Sequence, residues 1–237
     1  MRSMTDDYQA ALEIAGRIKG VNPSAIDRRL VMPIVYHESM GDIENQFLVQ
    51  KNGGPGRGVV QFEGAIGDGL GFESAVNRAK ALYQKQGMQL PSYISSLKKG
   101  QDATALTVPQ QKALMLYDFL EKPTRQLGGK PIDVPADLAL VVRGEVPVVT
   151  WWEHYHWAGP QMSESDRMVR DDRIASFRES QVAFLNSLPE GDAIPLPDSP
   201  AQEQEPDGLF ERYLRGVKDV FKGYFAEVQK PTEKDVS

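Results

Sequence analysis

The sequence predicts a mainly α fold with a small β-hairpin or glycine-rich lobe. Two observations carry that expectation. Apolar residues recur at helical spacing through most of residues 5–187, and one glycine-dense stretch, residues 41–71, interrupts them. The composition sets the scale. With 237 residues, 41% hydrophobic and 25% charged, the chain is ordinary for a globular protein and long enough for one substantial core, or one core plus an appendage.

The first helix is expected over 5–20. Thr5 can cap it, Asp6 and Asp7 suit its positive end, and Tyr8, Ala11, Leu12, Ala15 and Ile18 form its stripe. Asn22-Pro23 breaks the chain, and Ser24-Ala25-Ile26-Asp27 reads as a capping-box-like start of a second helix. Its stripe is Ile26, Leu30, Val31, Ile34 and Val35; Pro33 lies inside it and predicts a kink or local rearrangement. That helix should end near Ser39, with Gly41 as its stop. In the glycine-dense stretch, Phe47-Leu48-Val49 and Val59-Val60-Gln61-Phe62 suit two short strands of a hairpin around Asn52-Gly53-Gly54.

Helical spacing returns over 73–87, over 108–121 with Thr107 and Pro109 at its start, and over 134–144, 146–157 and 164–187. Residues 189–208 are rich in proline and acid and predict an extended linker. Beyond them, Phe210, Tyr213, Leu214, Val217, Val220, Phe221, Tyr224 and Phe225 make a strongly amphipathic helix. The expected organisation is a domain over 1–190, a linker over 191–207, an appended helix over 208–228 and a polar tail over 229–237. The polar face of the appended helix carries Arg212, Arg215, Lys218 and Lys222. Three readings of it stand: an interfacial membrane helix, a helix docked in a partner's groove, or one packed on its own domain.

Composition excludes several function classes. Lys+Arg is 27 against 33 Asp+Glu, a formal charge of −6, which is not the basic footprint of a nucleic-acid binder, so no nucleic-acid partner is expected. There is no cysteine, hence no disulfide, thiolate metal site or cysteine nucleophile. His37, His154 and His156 lack the spacing of a zincin helix, so no metal and no cofactor are expected. The first 20 residues carry acids and a helical pattern rather than an apolar core, so no signal peptide is expected; nor does any run approach the roughly 20 apolar residues of a membrane span.

Three short elements carry chemistry. Glu38-Ser39 closes an apolar helix that opens into the glycine-rich stretch. A carboxyl held against apolar walls keeps its proton near neutrality and can act as an acid on a glycosidic oxygen. The plain alternative is an exposed glutamate in a last helical turn. Gly58-Val59-Val60-Gln61-Phe62 follows: glycine lets the backbone approach a ligand closely, and Gln61 offers a donor and an acceptor to a sugar. Its plain alternative is a turn leading into a buried strand. Tyr155-His156-Trp157-Ala158-Gly159-Pro160 offers rings that stack on sugars, or, with Trp151 and Trp152, an aromatic core cluster.

Taken in order, the three resemble the lytic transglycosylase family of the lysozyme-like superfamily, which carries a glutamate-serine element, a Gly-Leu-Met-Gln-Ile type element and a Tyr-Asn-Ala-Gly-Pro type element. The third element departs from the pattern: it is one residue longer, or has Trp157 in place of asparagine, so Tyr155 or His156 stands where the family tyrosine does. Glu63 stands where the family has proline or a small residue.

The resemblance implies a lysozyme-like α+β domain acting on the peptidoglycan glycan strand. Glu38 would be the catalytic acid, with Ser39, Gly58, Val60, Gln61, Glu63, Tyr155 and His156 binding substrate. It implies cleavage between N-acetylmuramic acid and N-acetylglucosamine with closure of a 1,6-anhydro ring. A hydrolytic lysozyme, the alternative, needs a second carboxylate, for which Asp42, Glu44, Glu63 and Asp68 are available. A chitinase-type or chitosanase-type glycosidase on the same scaffold is a further alternative. Without an export signal, the expected route to the wall is carriage in a phage virion, with a virion or tail protein as partner of the 208–228 helix. The rival from another class is a structural virion protein with an inactive lysozyme-like domain.

Overall fold

The computed structural model describes residues 4–123, 125–127, 130–132, 134–152 and 164–187. The chain divides into two units, Met1–Pro197 and Asp198–Ser237, and every described residue lies in the first. The linker expected over 191–207 and the helix expected over 208–228 therefore lie outside the described residues.

Helix α1, Met4–Lys19, buries Ala11, Leu12 and Ala15 of its expected stripe, and the Tyr8 hydroxyl donates to Asp27 at 2.6 Å. Thr5 falls inside its first turn rather than before it. Helix α2, Pro23–Ile26, starts one residue before the expected Ser24, because Asn22 is the cap: its side-chain oxygen accepts from the Ser24 N–H at 2.9 Å. Pro23 suits that first turn, having neither an N–H to satisfy nor freedom in φ.

The stripe from Ile26 to Val35 is not one continuous helix. A π turn, Asp27–Val31, separates α2 from helix α3, Met32–Glu38, and the Met32 N–H reaches back five residues to the Asp27 carbonyl. Pro33 accounts for it. In a regular helix its ring would press on the Arg29 carbonyl four residues back, and a wider preceding turn moves that carbonyl aside. Helix α3 ends as expected beside Ser39. Gly41 is left-handed at φ 85°, but Met40 before it is left-handed too, at φ 53°. The Gly41 N–H then closes on the Tyr36 carbonyl at 2.9 Å.

The hairpin exists, but not on the expected strands. Its strands are β1, Gly56–Arg57, and β2, Phe62–Glu63, antiparallel with Gly56 opposite Glu63 and Arg57 opposite Phe62. Val49 makes a single bridge to Arg57, and Lys51–Gly53 is a 3-10 turn. Val59 and Val60 lie in the turn rather than in a strand, because Gly58 at φ 73° and Gln61 at φ 53° reverse the chain around them. Val59 is fully buried, so its apolar character reports a turn plugged into the core.

Helix α4, Gly71–Lys85, is followed by a short helix α5, Ser92–Ser95, absent from the sequence reading. Helix α6, Val108–Glu121, covers the expected span; the Gln110 side chain accepts from the Thr107 N–H at 3.1 Å, and Pro109 sits in the first turn. Two further strands, β3 (Arg125–Leu127) and β4 (Lys130–Ile132), form a second antiparallel ribbon that was also not anticipated. Helix α7, Val134–Arg143, matches its expected span within one residue. Helix α8 is described over Val148–Trp152, and α9 over Glu164–Ser187.

The architecture is mainly helical, with α6 at its centre. Ala113 to Leu120 are all buried, and α6 packs against α1 on one side and α4 on another. The Tyr83 and Tyr117 hydroxyls meet at 2.7 Å across the α4–α6 seam. Arg29, from the π turn, donates to the Val142 carbonyl at 3.1 Å and so caps the end of α7. Helix α9 lies along α3 and touches α8. No described helix is long and apolar enough to cross a membrane.

Candidate active site

Glu38 is the last residue of α3, and its position follows from what α3 buries. Pro33, Ile34 and Val35 go into the core, which leaves Tyr36 and His37 to meet α9. The Tyr36 ring lies 5.8 Å from Phe184, and the His37 ring stacks on Phe177 at 4.5 Å with Nδ1 3.3 Å from the Ser180 hydroxyl. Residue numbers rise along α3 as they fall along α9, so the two helices run antiparallel. Arg173, one turn before Phe177, therefore falls level with Glu38. Trp152, at the end of the described part of α8, packs edge-on against Phe177 at 6.5 Å. Three separate elements thus converge on one carboxyl.

The environment decides its chemistry. Glu38 retains some solvent-accessible surface, yet its carboxyl lies deep among protein atoms. Burial pushes its pKa from 4.5 up to about 7, against two smaller opposing influences: the positive charge of Arg173 and the nearby polar edge of the Trp152 indole. Near neutrality this carboxyl is divided between acid and carboxylate. His37 next to it is pushed the other way, from 6.5 down to about 4, again by burial, so its imidazole is neutral.

Ser39 is almost wholly buried, and its hydroxyl has no hydrogen-bond partner. A buried polar atom left unpaired is uncommon in a folded protein and calls for a cause. Gln61 is another such case among the described residues, as are Tyr93 and Thr107, which lie on other elements. The Gln61 amide nitrogen donates to the Gly58 carbonyl at 2.7 Å, while its buried amide oxygen has no partner. Gly58, Val60 and Gln61 are held together as one turn, with Val60 half-buried; Glu63 is exposed at the end of β2. Tyr155 and His156 lie outside the described residues, as does the rest of their element.

The sequence reading missed three residues here. Gln111, fully buried on α6, holds the glycine turn: its side-chain oxygen accepts from the Val59 N–H at 2.8 Å. Its nitrogen lies within 3.1 Å of the carbonyls of Gln46, Ala103 and Leu106. A Cβ on Gly58 would come within 2.1 Å of that same side-chain oxygen, so only glycine fits. Gln110 and Lys112 on either side of Gln111 are polar as well, so the sequence around it carried little signal of burial. Trp152 was read only as core filling. Arg173 carried no signal, because nothing in a helical stripe tells which neighbour it meets.

The chain matches no protein-family model, no curated protein and no solved structure. What the constellation can do follows from its own chemistry. Among the described residues, no three histidine, aspartate or glutamate side chains converge on a metal-sized site. The arrangement offers instead one half-protonated carboxyl, a tryptophan and an exposed guanidinium beside it, and an unpaired serine hydroxyl next in the chain.

Proposed function

We propose that this protein is a peptidoglycan lytic transglycosylase built on a lysozyme-like domain, with Glu38 as its acid and then its base. The observation that carries the proposal is the buried Glu38 carboxyl, whose pKa of about 7 keeps an acid available where an exposed glutamate would have lost its proton. Protonated Glu38 gives its proton to the oxygen linking N-acetylmuramic acid to N-acetylglucosamine, and that bond breaks. The resulting carboxylate takes the proton of the sugar's own C6 hydroxyl, whose oxygen closes on C1 as a 1,6-anhydro ring. Glu38 ends protonated and ready for another strand.

One carboxyl suffices for this chemistry, whereas a hydrolytic lysozyme uses two. The remaining carboxylates have other engagements. Asp42 accepts from Asn45 at 2.9 Å and Asp68 from the Ala65 N–H at 3.0 Å. Glu44 acts on Lys112, Glu63 is exposed, and the charged group that acts on Glu38 is Arg173.

The test is mass spectrometry of the products released from purified peptidoglycan by the wild type and by Glu38→Gln. Muropeptides one water lighter than hydrolysis products, absent with the variant, are expected. Fully hydrated reducing ends would make the protein a lysozyme and redirect attention to Glu63 and Asp42. No release by either protein, across several wall types, would favour a structural role.

A further inference from the structure

The cation beside Glu38 has no role in the reaction as described. Arg173 is exposed on α9, one turn from Phe177 and level with the carboxyl. It forms no hydrogen bond or ion pair with any described residue. The helix positions three and four away are Val169, Arg170, Ser176 and Phe177, none of them an acid. From α8 the site receives Trp152, which is uncharged, and from α3 it receives His37, which is neutral. When Glu38 holds its proton, the exposed guanidinium has no counter-charge among the described residues.

A guanidinium so placed matches a carboxylate fork-to-fork. We propose that Arg173 is a substrate-binding residue that selects acidic over neutral glycans by pairing with a carboxylate carried on the muramoyl sugar. The assignment rests on the peptidoglycan reading above and names the feature of the strand that the site grips. The carboxylate belongs either to the lactyl group of a stem-free muramoyl residue or to the peptide stem. Either one competes with ionised Glu38 for the same cation, so a bound acidic strand favours the protonated, reactive form of the acid. A neutral strand leaves Arg173 to draw that proton off.

The experiment uses the full chain carrying Glu38→Gln, which imitates the protonated acid and binds without cutting. Calorimetry would measure its affinity for chitotetraose, for a stem-free tetrasaccharide of alternating N-acetylglucosamine and N-acetylmuramic acid, and for the same tetrasaccharide bearing peptide stems. An acidic glycan is expected to bind about fivefold more tightly than chitotetraose, the upper range for an exposed ion pair. Adding Arg173→Gln should remove that preference without weakening chitotetraose binding, and Arg173→Lys should keep part of it. A preference for the stem-free ligand assigns the lactyl carboxylate, one confined to the stem-bearing ligand assigns the peptide, and both support the proposal. Equal affinity for neutral and acidic glycans, or a preference that survives Arg173→Gln, overturns it and leaves Glu38 untouched. No binding of any ligand by a variant with an unaltered melting curve overturns the peptidoglycan reading and this assignment together.

Discussion

His37 and Glu38 are neighbours whose burial has opposite consequences for stability. Folded Glu38 keeps its proton up to about 7 while the unfolded chain releases it near 4.5, so its contribution is present below pH 4.5 and lost as pH rises through 7. Folded His37 takes a proton only near 4 while the unfolded chain takes it near 6.5, so its contribution is present above pH 6.5 and lost as pH falls through 4. Each corresponds to at most about 3.5 kcal/mol, and over the shared window the two offset one another. Single variants should separate them. Relative to the parent, Glu38→Gln should gain stability as pH rises from 4.5 to 7, and His37→Gln should gain as pH falls from 6.5 to 4. Urea unfolding across that range would read the slopes, and difference curves without slope would refute the burial of these groups. Glu38 itself was legible in the sequence, as a glutamate closing an apolar helix. Its partners were not, because Trp152 and Arg173 lie more than a hundred residues away and meet it only through tertiary packing.

The glycine lobe shows how one element can be recognised and misplaced. Glycine density and two apolar pieces announced a hairpin, but valines 59 and 60 were read as strand because β-branched residues favour extended backbone. Gly58 and Gln61, both left-handed, override that preference and turn the pair into a loop anchored by Gln111. The second ribbon, β3–β4, went unread although Gly128-Gly129 between two short runs is a recognised hairpin signal. The anchoring of the lobe makes a comparison of two glycines informative. Gly20 has φ 64° with nothing within 4 Å of an added Cβ, so Gly20→Ala should cost about 1 kcal/mol from backbone strain alone. Gly58→Ala adds a 2.1 Å approach to a side chain tied to four backbone groups, and should cost about 3 kcal/mol or more. Denaturant midpoints of the two variants would decide it, and equal losses would show that the Gln111 anchor yields.

At the scale of the molecule, the order of the long helices among the described residues was legible because each carries its own stripe or cap. Their packing was not, since a stripe says that a face is covered without saying by what. Helix α9 is the consequential case. Fully buried Phe177 joins it to His37 on α3 and to Trp152 on α8, so one ring closes three elements around the candidate site. Phe177→Ala should cost about 3–5 kcal/mol. It should also admit water, letting the His37 pKa climb from about 4 back toward 6.5, which proton NMR of the imidazole would follow. An unchanged His37 titration in a folded variant would mean that something other than Phe177 keeps that pocket dry. The π turn at Asp27–Val31 has a consequence of the same reach. It takes one residue more than a regular turn, and each helical residue advances the side chain by about 100° around the axis. Everything downstream in α3 is therefore rotated by that angle. Pro33, five residues before the carboxyl, thus sets the angle at which Glu38 leaves the helix, and with it which neighbours that carboxyl meets.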